Sequence, residues 1–127
     1  MTGVSDTRSV IEAFADLFYG DLSVRAAFEA YVAPEYRQHN PLAGDGRDAA
    51  IAMLEGFAAA TPGLSMDVKR ILVDGDIAAV HLHLRMSPDD RGMAVVDLFR
   101  VKGGRIVEHW DVVQPVPAES GNDNSMF

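Results

Sequence analysis

Asp97, His109 and Asp111 are the residue types that acid–base chemistry uses, and they fall within fifteen positions of one another. An imidazole titrates near pH ~6.5, and a neighbouring carboxylate raises that value. A carboxyl group held in an apolar pocket can stay protonated and act as a hydrogen-bond donor. Gathered on one surface, the three could take up and return a proton at neutral pH. The competing reading is a solvated sheet face, which uses the same residue types. His39 and Asn40, in EYRQHNP, are further candidates for a pocket wall, although Asn before Pro is also a common turn starter. His81 and His83 form an HxH pair whose rings share one strand face and could line a pocket. With His109 they could also be arranged as metal ligands. That spacing is too common to carry a metal assignment, so no metal is assigned.

Whether these groups meet depends on the elements that carry them. Residues 6–19, DTRSVIEAFADLFY, have Val10, Ile11, Phe14, Leu17 and Phe18 at helical spacing, with Asp6 as a cap. A second helix over 23–32 is ended by Pro34, and a third runs over 47–60. EYRQHNP reads as a short extended piece. After Gly63 the period becomes two: strands are expected over 64–73, 76–86, 92–102 and 105–115, with turns at Asp74-Gly75 and Gly103-Gly104. Helices followed by a four-stranded antiparallel meander imply an α+β domain with the helices on one face of a curved sheet. Phe14, Phe18, Phe28, Tyr31, Met53, Leu54 and Phe57 are the expected core, and some of them would line any pocket. Tyr19 and Tyr36 could reach its mouth, but nothing in the pattern fixes them there. One domain over 1–117 and a flexible tail over 118–127 are expected.

The last hairpin decides the site. On its first strand Val95, Asp97, Phe99 and Val101 share a face. On its second, Val107, His109, Asp111 and Val113 oppose Ile106, Glu108, Trp110 and Val112. A two-residue turn at Gly103-Gly104 sets Asp97 opposite Trp110. A three-residue loop, Lys102 to Gly104, sets Asp97 opposite His109 with Asp111 on the same face. Both suit paired glycines, and the residues alone do not choose.

The 127 residues carry a net charge of −8 spread along the chain, which disfavours nucleic acid and anionic membrane surfaces as partners. There is no cysteine, which excludes disulfides and thiolate chemistry and fits a cytoplasmic location. No apolar run approaches the ~20 residues of a membrane span, and MTGVSDTRSV has no signal-peptide pattern.

VDLFRVKGGRIVEHWDVVQ, preceded by YRQHNP, resembles the SnoaL-like polyketide cyclase family of the nuclear-transport-factor-2-like superfamily, which also holds ketosteroid isomerases and limonene epoxide hydrolases. The resemblance spans roughly residues 8–115. It implies a cone of three N-terminal helices against a strongly curved antiparallel sheet, often dimeric through the sheet, with no cofactor. Asp97 in DLFR matches the isomerases' oxyanion-binding aspartate, and Asp111 matches an acid that the cyclases use in proton transfer. Both face inward only with the three-residue loop, which is therefore the expected register. Asn40-Pro41 stands where the isomerases have their aspartate base, and the first helix has Ala13 and Phe14 where they have a tyrosine. No Asp-Arg-Asp arrangement of the epoxide hydrolase kind is visible.

Two functions follow from different classes. One is a cofactor-independent enzyme for a small apolar carbonyl compound, catalysing aldol cyclisation, isomerisation or hydration. In it Asp111 moves the proton, His109 orients it, and Asp97 or Asn40 binds the oxyanion, with His39, His81 and His83 at the pocket wall. The other is a non-catalytic ligand-binding or dimeric interaction module. Under either function the expected register turns Trp110 and Glu108 outward, Glu108 within reach of Arg100, on a surface suited to a homodimer.

Overall fold

A computed structural model describes residues 4–127; residues 1–3 of the expected domain lie outside the described residues. Helix α1 spans Val4–Ala15, with Asp6 in its first turn, where an acidic group suits the positive end of the helix dipole. It runs on into one π-helical turn, Asp16–Gly20, closed by the Asp21 N–H on the Asp16 carbonyl at 3.0 Å. The wider turn accommodates an extra residue, and the adjacent Phe18 and Tyr19 are both buried. Helix α2 spans Val24–Tyr31 and α3 spans Arg47–Ala60.

Strand β1, Val32–Gln38, follows α2 directly, and EYRQ of the extended piece lies in it. Pro34 sits in the irregular stretch between paired Val32 and Arg37 of this edge strand, where a missing N–H is tolerated. Strands β2 (Ser65–Asp74), β3 (Ile77–Arg85), β4 (Met93–Lys102) and β5 (Arg105–Pro115) form the expected antiparallel meander. The sheet order is β1-β5-β4-β3-β2, with β1 parallel to β5. The expected four-stranded antiparallel sheet is thus a five-stranded mixed one, open at both edges. With three helices packed over one face it has a cone-like α+β architecture.

The register expected for the last hairpin is corrected. Gly103 and Gly104 form a two-residue turn, with Lys102 opposite Arg105 and φ of 61° and 76°. Two successive positive φ values match the right-handed twist of the flanking strands, and glycine adopts them without a steric penalty. Val101 then pairs with Ile106, but Arg100 pairs with Glu108, so β5 carries one extra residue at a bulge. Beyond it Phe99 faces His109, Asp97 faces Asp111 and Val95 faces Val113. Ile106, expected on the outer face, is fully buried on the inner one, because the bulge reverses the alternation after it. Asp97, His109 and Asp111 do share the inner face, by a route different from the expected loop.

The core lies between the helices and this inner face. Phe14 is its centre, with ring centroids 5.3 Å from Phe18, 5.4 Å from Phe28 and 5.5 Å from Phe99. Burying side chains of this size contributes roughly 1.5–3 kcal/mol each. On the outer face Arg100 bonds Glu108 at 3.1 Å and Asp76 at 2.8 Å. The C-terminal residues run back along the same side, where the Phe127 ring stacks 4.2 Å from that of His83.

Candidate active site

Between the helices and the sheet lies a cavity of about 210 Å³. Phe18, Leu54, Phe57, Met66, Met93 and Val95 are among the side chains forming its apolar wall. Its polar wall is made by Tyr36, Gln38 and Asn40 at the end of β1, Asp97 on β4, and His109 and Asp111 on β5. Alternation along YRQHN turns Tyr36, Gln38 and Asn40 to one side, and the parallel pairing of Gln38 with His109 sets them beside the β5 groups.

The hydrogen bonds among these groups fix each orientation. The Asn40 backbone N–H, which can only donate, lies 3.0 Å from Gln38 Oε1, so the amide oxygen is on that side. Gln38 Nε2 then donates to the Tyr36 hydroxyl at 2.7 Å. His109 Nδ1 lies 2.7 Å from the same Gln38 oxygen and must therefore carry a proton. Its Nε2 is 2.9 Å from Asp97 Oδ1 and 3.8 Å from Asp111 Oδ2. The other Asp97 oxygen accepts a short hydrogen bond from the Tyr19 hydroxyl. Asn40 Nδ2 donates to both oxygens of Asp111, at 3.1 and 2.9 Å, while Asn40 Oδ1 accepts the Leu42 N–H at 2.8 Å.

Burial holds the Tyr19 phenol well above its ordinary pKa, and the adjacent Asp97 adds to this. Burial also raises Tyr36, with Asp97 and then Asp111 contributing. Both hydroxyls stay protonated at any physiological pH and so remain donors. One ligand atom each from Asp97, His109 and Asp111 lies within 4.8 Å of the others, a span a divalent cation could bridge. His109 Nε2 and Asp97 are instead engaged with one another, and a cation would have to break that pair.

The expected site divides. Asp97, His109, Asp111 and Asn40 meet at the cavity. The placement of His39, His81 and His83 at its wall is corrected. His39 alternates outward from Gln38 and Asn40; its Nε2 bonds Glu108 at 2.6 Å and its ring stacks on Trp110 at 4.7 Å. That contact with His39, and then the one with Arg100, holds the Glu108 carboxyl below its usual range. On β3 the small and apolar Ala78, Val80 and Leu82 are buried inward, which turns His81 and His83 outward, against Arg70 and Phe127. Asn40 places its amide oxygen on the Leu42 N–H and one amide N–H on the Asp111 carboxylate. Tyr19, Tyr36 and Gln38 belong to the network; the two tyrosines were expected within reach of the pocket mouth with nothing to fix them there, and Gln38 was not identified from the sequence. Alternation along YRQHN could have found two of them.

No curated protein matches the sequence significantly. Among solved structures, an NTF2-like protein of unknown function from Mesorhizobium loti is 28% identical, covering 87% of this chain and 93% of its own, with a TM-score of 0.72. Wild-type IdmH of Streptomyces antibioticus, described as a proposed polyketide cyclase, is 25% identical over 84% of this chain and 91% of its own, with a TM-score of 0.67. A Kribbella flavida protein proposed as a ketosteroid isomerase is 22% identical over 94% of this chain and 85% of its own, with a TM-score of 0.75, and shares the fold. The family model of the SnoaL-like domain matches residues 8–109, from α1 to the histidine of the polar cluster. The chain belongs to the SnoaL-like family.

Proposed function

We propose that the protein is a cofactor-independent acid–base catalyst for a small, mostly apolar carbonyl compound, with Asp111 as the base. The observation that carries this is the Asp111 carboxylate itself. It lines the cavity, takes its hydrogen bonds from the single amide of Asn40, and has His109 Nε2 at 3.8 Å. Asp97, by contrast, is held by two separate groups, Tyr19 on one oxygen and His109 on the other. An apolar cavity of ~150 Å³ holds benzene, so about 210 Å³ suits a molecule of one or two rings.

In the reaction Asp111 removes a proton from the carbon next to the carbonyl, and the C–H electron pair moves into an enolate. The enolate is then reprotonated at another carbon, or its carbon attacks a second carbonyl and the proton from Asp111 goes to the resulting alkoxide. The likeness to IdmH supports the second, aldol-type course. His109 and Asn40 position the carboxylate. The outer face, where Val112 and Leu72 are 66% and 62% exposed, is the surface we read as the seat of a second copy. A cytoplasmic location belongs to the same reading.

Proton exchange tests this without knowledge of the natural substrate. Deuterium uptake at the α-carbons of 2-tetralone in D2O, followed by NMR, should be accelerated by the wild-type protein. Asp111→Asn should lower that rate at least ~100-fold, the ordinary contribution of a positioned base. Equal rates in the two proteins would remove Asp111 from the role. A second reading, non-catalytic ligand binding, is favoured by the extent to which Asp97, His109 and Asn40 pair among themselves. It is the outcome if ligands bind and no carbonyl compound exchanges faster than in buffer.

A further inference from the structure

A base accounts for half of an enolisation; the other half is a donor for the oxygen that becomes negative. Most polar groups on the cavity wall are already occupied. Asn40 Nδ2 faces Asp111, and Asn40 Oδ1 faces the Leu42 N–H. Asp97 holds Tyr19 and His109 on its two oxygens, and the His109 ring is gripped between Gln38 and Asp97. Tyr36 differs from Asp97 and His109. Its residue surface is 3% exposed, it lines the cavity, and its hydroxyl oxygen accepts from Gln38 Nε2. Among the described residues, no acceptor takes its own hydrogen.

The geometry of a phenol sharpens this. The O–H bond lies in the ring plane, so the hydrogen has two preferred directions. The Gln38 donor favours the direction away from itself. Gln38 is in turn fixed by the Asn40 backbone N–H, so the donor is oriented before any ligand arrives.

We infer that Tyr36 is the oxyanion donor of this site, its phenol hydrogen-bonding the carbonyl oxygen whose α-proton Asp111 removes. The inference rests on the reading of Asp111 as the base of a carbonyl-binding cavity. It narrows the substrate class to a ketone that directs its oxygen toward Tyr36, its adjacent C–H toward Asp111 and its ring toward Phe18 and Phe57. Tyr36 touches the reacting oxygen; Gln38 acts through it as a positioning residue.

Acetophenone labelled with ¹³C at the carbonyl is the probe, read by isotope-edited infrared spectroscopy. In the wild-type protein the carbonyl stretch should move to lower frequency than in an apolar solvent. In Tyr36→Phe the shift should disappear and affinity should fall roughly tenfold, as for loss of one hydrogen bond to a buried carbonyl. Affinity for ethylbenzene should be the same in both proteins. If Tyr36→Phe fails to fold, the wild-type protein still decides. Its affinity must rise from 4-trifluoromethyl- to 4-methylacetophenone as the carbonyl becomes more basic, and a flat series overturns the assignment. An unchanged shift in Tyr36→Phe, together with loss of proton exchange in Asp111→Asn, removes Tyr36 and leaves the base in place. Failure of acetophenone to bind the wild-type protein counts against the carbonyl cavity itself and takes Tyr36 with it.

Discussion

Replacing Tyr19 by Phe should give a protein whose stability deficit vanishes in alkali. Tyr19 is 3% exposed, and its hydroxyl donates to the buried Asp97. At pH 8 the substitution removes that hydrogen bond and leaves one oxygen of Asp97 without a donor, at a cost of ~2 kcal/mol. Burial, reinforced by Asp97, holds the native phenol well above its ordinary value, whereas the phenol of the unfolded chain ionises near pH ~10. Above that pH the unfolded state has released a proton that the native state keeps. Stability therefore falls with rising pH through this group, and the loss continues up to the native value. The loss amounts to about 1.4 kcal/mol at pH 11 and about 2 kcal/mol at pH 11.5.

Tyr19→Phe has no phenol at this position and escapes that loss. Tyr36 is raised as well, but it is present in both proteins and cancels in the comparison. The wild-type protein should thus lead by ~2 kcal/mol at pH 8 and draw level near pH 11.5. Urea unfolding followed by circular dichroism at half-unit pH steps measures this. A gap that stays constant to pH 11.5 would mean that the native phenol ionises as freely as the unfolded one. The hydroxyl would then not be buried on Asp97. No gap at pH 8 would mean that the bond contributes no net stability.

The Gln38 amide oxygen should be what holds a proton on His109 Nδ1. In the wild-type protein ¹⁵N NMR should show a proton on His109 Nδ1, and Gln38→Met should remove the acceptor that holds it there while Nε2 keeps its proton on Asp97. An unprotonated Nδ1 in the wild type would refute the assigned orientation of Gln38. On the outer face, sedimentation at micromolar concentration should show a dimer, and Val112→Glu should shift it toward monomer by placing a charge on the apolar surface. A wild-type protein that sediments as a monomer throughout removes the interface.

Much of the arrangement was legible because period carries it. Three helices and the four-strand meander stand close to where the apolar spacing placed them, and Asp97, His109 and Asp111 do converge. The misplaced histidines are failures to apply the same rule everywhere. His39 and Asn40 are adjacent in a strand-like segment and cannot both face the cavity. In the β3 sequence IAAVHLHLR, the apolar set Val80, Leu82 and Leu84 alternates with His81 and His83, so burying the first exposes the second. The resemblance drew attention to residue types, and alternation would have corrected it.

What stayed hidden has one physical cause: a residue inserted where a regular repeat was assumed. The π-helical turn at Asp16–Gly20 buries Tyr19 beside Phe18, whereas an uninterrupted α-helix gave no reason to aim that hydroxyl at Asp97. The β5 bulge reconciles two demands that no regular hairpin meets. Paired glycines are compatible with the two-residue turn seen here, which sets Val101 against Ile106, both of them apolar. Continued without interruption, that register would set Phe99 opposite Glu108 and Asp97 opposite Trp110. One extra residue at Val107 keeps the turn and its apolar pair while returning His109 and Asp111 to the cavity. The trace of this in the sequence is a conflict between turn chemistry and face chemistry. A register that satisfies each only on its own side of Val107 points to a bulge between them, and bulges are common where a strand re-aims a functional side chain.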